Sequence, residues 1–148
     1  MGVPGTGGCG ADRATAAIDR DRLVAEAQAA RRFARAPYSG FAVGAALLCA
    51  DGAVYRGCNV ETASYGLTCC AERVALFKAV SEGARDFKAI AVVAASSAPP
   101  SPCGACRQVL AEFCPGLLVI AATPAGARRE WRIEELLPDA FRLEPRGQ

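Results

Sequence analysis

The chain has 148 residues, 52% of them hydrophobic and 22% charged, with a net charge of +2 and eight cysteines. That length and apolar content predict one packed domain, able to bury roughly two thirds of its unfolded surface, and exclude a largely disordered chain. The small net charge gives no grounds for a nucleic-acid or anionic-membrane partner, and the longest apolar runs, 89–95 and 117–122, fall far short of the roughly 18 residues a membrane helix needs.

Residues 1–17 are rich in Gly and Ala and lack the apolar stretch of a secretory signal, so they read as a disordered N-terminal extension. The folded domain is expected over 18–143, with 144–148 as a loose C-terminal tail. A soluble protein of the reducing cytoplasm follows, where cysteines serve as free thiols and metal ligands rather than as a disulfide framework.

Ile18, Leu23, Val24, Ala27, Ala30, Phe33 and Ala34 recur at helical spacing, and Asp19 or Asp21 suits the N-cap or first turn. Pro37 is expected to end this first helix, and the basic 31–35 segment reads as its polar face. Tyr38-Ser39-Gly40 then turns the chain into a strand over 41–48. Asp51-Gly52 is a hairpin signal, and 53–56 forms the returning strand.

Segment 57–68 is irregular and is expected to run along a site wall. If its start is extended, Asn59 and Glu61 point to one side while Cys58 and Val60 point to the other. A second helix spans 68–82, with Ala71, Val74, Ala75, Phe77, Lys78 and Val80 as its stripe and Gly83 as its stop. The apolar run 87–95 reads as a strand covered on both faces. After a loop at 96–102, a third helix covers 103–113, Pro115-Gly116 turns, and 117–122 is another buried strand. A turn at 123–129, a short strand at 130–133 and a helical turn at 134–137, stopped by Pro138, complete the domain. This order predicts an α/β fold with a mixed five-stranded sheet covered by helices.

Two cysteine-bearing stretches carry chemistry. Cys70-Ala71-Glu72-Arg73 opens the second helix, and Pro102-Cys103-Gly104-Ala105-Cys106-Arg107-Gln108 opens the third. A helix N-terminus favours a thiolate, and Cys106 returns to the helical face of Cys103, so the sulfurs of Cys70, Cys103 and Cys106 can converge on Zn2+. Three protein ligands leave a fourth position for water, the pattern of a catalytic zinc site. Glu72 is then placed to shuttle a proton, work worth roughly 10²–10⁴-fold in rate. Three thiolates on one divalent ion leave a net negative centre. Arg73 is expected to donate to the ligand sulfurs and draw off that charge. Cys9, Cys49, Cys58 and Cys114 read as incidental or as small apolar residues. Two alternatives stand beside the catalytic reading: a closed structural zinc site with Cys69 as fourth ligand, and a redox Cys-x-x-Cys pair.

With these motifs stand Tyr38-Ser39-Gly40-Phe41-Ala42-Val43-Gly44-Ala45-Ala46-Leu47 and Gly57-Cys58-Asn59-Val60-Glu61-Thr62-Ala63-Ser64-Tyr65-Gly66-Leu67-Thr68. Together, from Tyr38 to about Phe141, the sequence resembles the cytidine deaminases of the small, homotetrameric, all-cysteine zinc type, a form of the zinc deaminase constellation. The resemblance implies a three-layer α/β/α sandwich and hydrolysis of cytidine and 2′-deoxycytidine to uridine and 2′-deoxyuridine with release of ammonia, a step of pyrimidine salvage.

It further implies that Cys70, Cys103 and Cys106 hold one Zn2+ per subunit and that Glu72 is the proton shuttle. Phe41 would pack on the pyrimidine, and Asn59 and Glu61 would hydrogen-bond the ribose. Ala63, Tyr65 and Phe141 would come from a neighbouring subunit. One departure is visible: Thr62 stands where the family usually reads Asn, which would loosen the loop that aims Glu61. The rival functions are a deaminase acting on another aminopyrimidine nucleoside, such as blasticidin S, and a scaffold with a structural zinc.

Overall fold

The computed structural model describes residues 18–147. The expectation of a disordered extension at 1–17, which includes Cys9, lies outside the described residues, as does Gln148. The chain runs α1 Arg20–Arg31, β1 Val43–Cys49, β2 Val54–Cys58, a short 3-10 turn Tyr65–Leu67, α2 Ala71–Ser81, β3 Phe87–Ala94, α3 Gly104–Phe113, β4 Leu118–Ala122, β5 Arg128–Arg132 and α4 Ile133–Leu136. The five strands lie in the order β2-β1-β3-β4-β5. The β3–β4 pair is parallel and the other pairs are antiparallel, so the sheet is mixed as expected.

Alternation along the strands sends side chains into two cores. Ala46, Ala89, Ala91, Val93, Leu118 and Ile120 meet Leu23 and Ala27 of α1 on one face. Ala45, Leu47, Ile90 and Val119 meet Leu76, Leu110 and Leu136 on the other, beneath α2, α3 and α4. The result is three layers, with β3 buried almost throughout because both faces are covered. Each large aliphatic side chain fully removed from water contributes about 1.5–3 kcal/mol of burial free energy.

Two glycines set how closely the helices sit. A Cβ on Gly44 would lie 2.0 Å from the Ala27 carbonyl oxygen, and one on Gly57 would lie 2.5 Å from both Ala71 O and Ala75 N. Backbone therefore rests on backbone at β1–α1 and β2–α2. The hairpin turns at Gly52, in the left-handed region at φ 90°, with the Ala53 N–H donating to Asp51 Oδ1 at 2.9 Å.

Asp19 caps α1, accepting from the Arg22 N–H at 2.9 Å. The helix ends at Arg31, well before Pro37. The N–H groups of Phe33 and Ala34 tighten back onto Ala30 O and Arg31 O, and the chain then extends so that Arg35 pairs with the Asn59–Glu61 backbone at 3.0 and 2.8 Å. This tertiary pairing overrides the helical spacing. Phe33 is exposed, and the 31–35 arginines do not share one helical face: Arg31 Nε donates to Ala42 O, Arg32 lies over the Phe33 ring, and Arg35 Nη1 donates to Glu61 O.

The α2 stripe also differs from expectation. The buried residues are Ala71, Glu72, Ala75, Leu76 and Ala79, while Phe77 and Lys78 face outward. The close approach to Gly57 selects the row of alanines four apart, since only small side chains fit between the two backbones. β1 begins at Val43 and leaves Phe41 outside the strand. β5 begins two residues earlier than expected because Thr123 closes the preceding turn, its N–H donating to Ala127 O and its hydroxyl accepting from the Ala127 N–H.

Candidate metal centre and substrate site

Cys70 and Cys103 are the N-cap residues of α2 and α3, both with extended backbone, and neither side chain caps its helix. A position that ordinarily favours Ser, Thr, Asp or Asn is here given to sulfur, which leaves each sulfur free at the positive end of a helix. Cys106, on the first turn of α3, is fully buried behind them. The Sγ atoms of Cys70, Cys103 and Cys106 all lie within 4.8 Å of one another, with Cys70 to Cys103 at 3.7 Å. A tetrahedral zinc with sulfur bonds of about 2.3 Å requires sulfurs about 3.8 Å apart. The donor set and its spacing therefore fit zinc.

Cys69 stays out of this cluster among the described residues. Its backbone is paired with Val60 in both directions, at 3.0 and 2.9 Å. The four-cysteine closed site considered from the sequence does not form. The same Val60–Cys69 bridge places the Asn59–Glu61 segment beside the residue that precedes Cys70.

The cluster is electrostatically biased toward thiolate. The Cys70 thiol is lowered to about 5, by the hydrogen bond from Cys106 and then by those from Arg73 and Cys103 against the cost of burial. Cys106, which gives its proton to that bond, is raised. Arg73 Nη2 lies 3.5 Å from Cys70 Sγ and 3.4 Å from Thr68 O, so its guanidinium faces the cysteine cluster. Arg107 plays a different part. It donates to Pro102 O at 2.8 Å, Ser101 Oγ at 2.5 Å and Leu136 O at 2.9 Å, tying the loop before Cys103 to α4.

Glu72 is only 5% exposed and sits on the first turn of α2, where its own backbone N–H bonds the carboxyl beside the Cys106 sulfur. Burial lifts it to about 7, with the neighbouring Cys70 charge adding to the rise. A divalent cation on the three sulfurs would draw it down again. A carboxyl so placed is poised to exchange a proton near neutral pH.

Asn59 and Glu61 are both buried while Val60 is exposed, which is the alternation expected of an extended segment. Their polar atoms turn first to the 38–43 loop. Asn59 Oδ1 accepts from Val43 N–H at 2.9 Å and Nδ2 donates to Phe41 O at 2.8 Å. Glu61 accepts from Tyr38 N–H at 3.0 Å, Ser39 N–H at 3.1 Å and Ser39 Oγ at 2.5 Å. The Ser39 bonds, with Tyr38 and the Arg35 charge helping, hold the Glu61 carboxyl below its usual range. Phe41 itself is 43% exposed.

Ala63, Tyr65 and Phe141 are exposed, and Tyr65 meets the Tyr38 ring edge-on at 5.5 Å. Gln108 Nε2 donates to Phe141 O at 2.9 Å, which fixes that part of the C-terminal segment on α3. Thr62 does not leave its loop slack: its hydroxyl donates to Ser64 O at 2.5 Å and its N–H to Thr68 Oγ1 at 3.2 Å. The partners of Glu61 were not singled out from the sequence. The signal was a serine two residues ahead of Phe41 in a Ser-Gly turn, a position from which a hydroxyl commonly bonds the backbone two residues on.

Residues 18–122 match the family model for the cytidine and deoxycytidylate deaminase zinc-binding region. The chain is 54% identical over 128 residues to a cytidine deaminase of Sporosarcina psychrophila, covering 86% of this chain and 94% of the relative. A cytidine deaminase of Halalkalibacterium halodurans is 58% identical over 128 residues, covering 86% and 97%. The crystal structure of cytidine deaminase from Burkholderia pseudomallei superposes with a TM-score of 0.82 at 52% identity, over 84% of this chain and 100% of that one.

Proposed function

Because the chain belongs to the cytidine and deoxycytidylate deaminase zinc-binding family, we propose that it is a zinc-dependent enzyme that converts cytidine or 2′-deoxycytidine and water to uridine or 2′-deoxyuridine and ammonia. The observation that carries this reading is Glu72, an acid buried against a three-sulfur cluster and given a proton affinity suited to transfer near neutral pH. Its domain would extend over 18–143.

Cys70, Cys103 and Cys106 would hold the zinc. The metal, when bound, supplies a Lewis acid able to bring the pKa of water down to about 7. Glu72 accepts the proton of the attacking water and delivers it to N3 of the pyrimidine, then takes the remaining proton from the new C4 hydroxyl and passes it to the amine, which leaves as ammonia while C4 becomes the carbonyl. The same carboxyl thus serves as base and then as acid, and no other described acid is buried beside the cysteines.

Phe41 would lie against the pyrimidine face. Asn59 keeps one Nδ2 hydrogen after its bond to Phe41 O, and Glu61 keeps one of about four lone-pair sites after its three bonds, so each can still meet a ribose hydroxyl.

Arg73 would draw charge from the ligand sulfurs. Arg73→Gln is expected to weaken zinc binding about ten-fold, the lower end for partners of metal ligands, as read by competition with a chromogenic chelator. An unchanged affinity would remove that role.

The exposed Ala63, Tyr65 and Phe141 support a homotetramer in which neighbours complete each site. Sedimentation should then find four times the 15.3 kDa chain mass, whereas a fully active single chain would refute the shared site. The disulfide-free state of the seven described cysteines supports a cytoplasmic setting, in pyrimidine salvage. No described helix is long and apolar enough to cross a membrane.

The direct test is ammonia release from cytidine and 2′-deoxycytidine by the zinc-loaded protein. No release from either, with blasticidin S consumed, would move the substrate assignment. No release at all from a folded, zinc-loaded protein would favour the structural-zinc scaffold.

A further inference from the structure

One hydroxyl touches both Glu61 and Phe41. Ser39 Oγ donates to Glu61 Oε2 at 2.5 Å and accepts from the Phe41 N–H at 3.0 Å. Its single proton is therefore committed to the carboxylate, and the chain from Phe41 N–H through Ser39 to Glu61 runs in one direction, so that each bond polarises the next. Gly40, at φ 68°, makes the turn that brings Phe41 back over Ser39, and its N–H donates to Ala36 O at 2.9 Å. From the other side Asn59 Nδ2 holds Phe41 O at 2.8 Å. The Phe41 backbone is thus fixed at its N–H by Ser39 and at its carbonyl by Asn59, with the ring left exposed at the site.

We propose that Ser39 is a positioning residue that fixes the Glu61 carboxylate and the Phe41 ring in one mutual geometry, so that sugar and base are recognised as a unit. The proposal rests on the reading of Glu61 and Phe41 as nucleoside contacts. It distinguishes Ser39 from Tyr38, which reaches Glu61 through its backbone N–H alone and so would survive replacement of its side chain. The cysteine cluster and Glu72 stand at the starts of α2 and α3, whereas the Ser39 hydroxyl bonds Glu61 and Phe41, so the loss should fall on binding and leave the chemical step intact.

The test is steady-state kinetics of Ser39→Ala and Ser39→Thr in the zinc-loaded enzyme. Ser39→Ala should raise KM for cytidine about ten-fold, the equivalent of one charge-assisted hydrogen bond, with kcat held within about two-fold. Ser39→Thr, which keeps the hydroxyl, should restore KM to within about three-fold of the parent. With 2′,3′-dideoxycytidine, whose sugar lacks both ring hydroxyls, the Ser39→Ala penalty should shrink to the part carried by the Phe41 ring, and in a Glu61→Gln background Ser39→Ala should add less than it does in the parent.

A second readout needs no substrate. Arg35 is the charged group beside Glu61, and it is unchanged in these variants. The Glu61 carboxyl, followed by carbon NMR, should titrate higher in Ser39→Ala than in the parent and return in Ser39→Thr. An unchanged KM in Ser39→Ala, an equal penalty on the dideoxy substrate, or an unmoved Glu61 titration would each overturn the proposal. If the parent enzyme released no ammonia from cytidine, the functional reading would fall by itself and the titration would still decide the role of Ser39.

Discussion

Glu72→Gln should lower kcat for cytidine by roughly 10²–10⁴-fold while zinc content and fold remain those of the parent. The amide matches the carboxylate in size and stays buried, so packing on α2 is preserved, but it can neither accept the proton of water nor pass one to the pyrimidine. KM should move far less than kcat, because Glu72 is separate from the Phe41, Asn59 and Glu61 set. A variant retaining more than about a tenth of the parental kcat would show that some other group carries the proton, and the assignment of Glu72 would be lost.

The second large effect is expected far from any reacting atom. Gly57→Ala puts a methyl 2.5 Å from both Ala71 O and Ala75 N and 3.0 Å from Ala75 Cα. All three are backbone, so no side chain can swing aside. Either β2 or α2 must move, at a cost of about 3 kcal/mol, the upper end for overpacking. For a domain of this size that is a drop in Tm of about 10 °C, readable by calorimetry. Activity should fall as well, since the displaced helix turn carries Cys70 and Glu72. A Gly57→Ala protein as stable and active as the parent would show that the two backbones have slack that the structure does not contain.

The same contact explains part of what the sequence concealed. Helical spacing alone made Phe77 a core residue, yet Phe77 is 45% exposed and the row Ala71, Ala75 and Ala79 is buried. Hydrophobicity ranks phenylalanine above alanine, but the distance between two backbones decides which fits, and that distance depends on a glycine fourteen residues upstream of Ala71. The early end of α1 has a similar origin. The chain leaves the helix to pair Arg35 with the Asn59–Glu61 segment, a partner invisible to any local pattern.

Other features were legible because their cause is local. A continuous apolar run gave β3, and the Asp51-Gly52 pair gave the hairpin. The site was readable for a related reason: Cys70 and Cys103 stand at helix N-termini, and the three-residue step to Cys106 fixes a helical face. The loop that holds Glu61 was not, because Glu61 finds its hydrogen bonds 22 and 23 residues away in sequence, at Ser39 and Tyr38.

The placement of the sulfurs has one more consequence, for folding. Cys70 and Cys103 are 33 residues apart, and the whole of β3, the middle strand of the sheet, lies between them. An ion gripped by both sides shuts that stretch into a ring, much as a disulfide would. Unlike a disulfide, the ion is released when the chain unfolds, so its binding free energy, less the entropy lost in closing that loop, adds to the stability of the fold. The metal is then a mechanical staple as well as a reagent, and uptake of the ion is coupled to docking of the central strand.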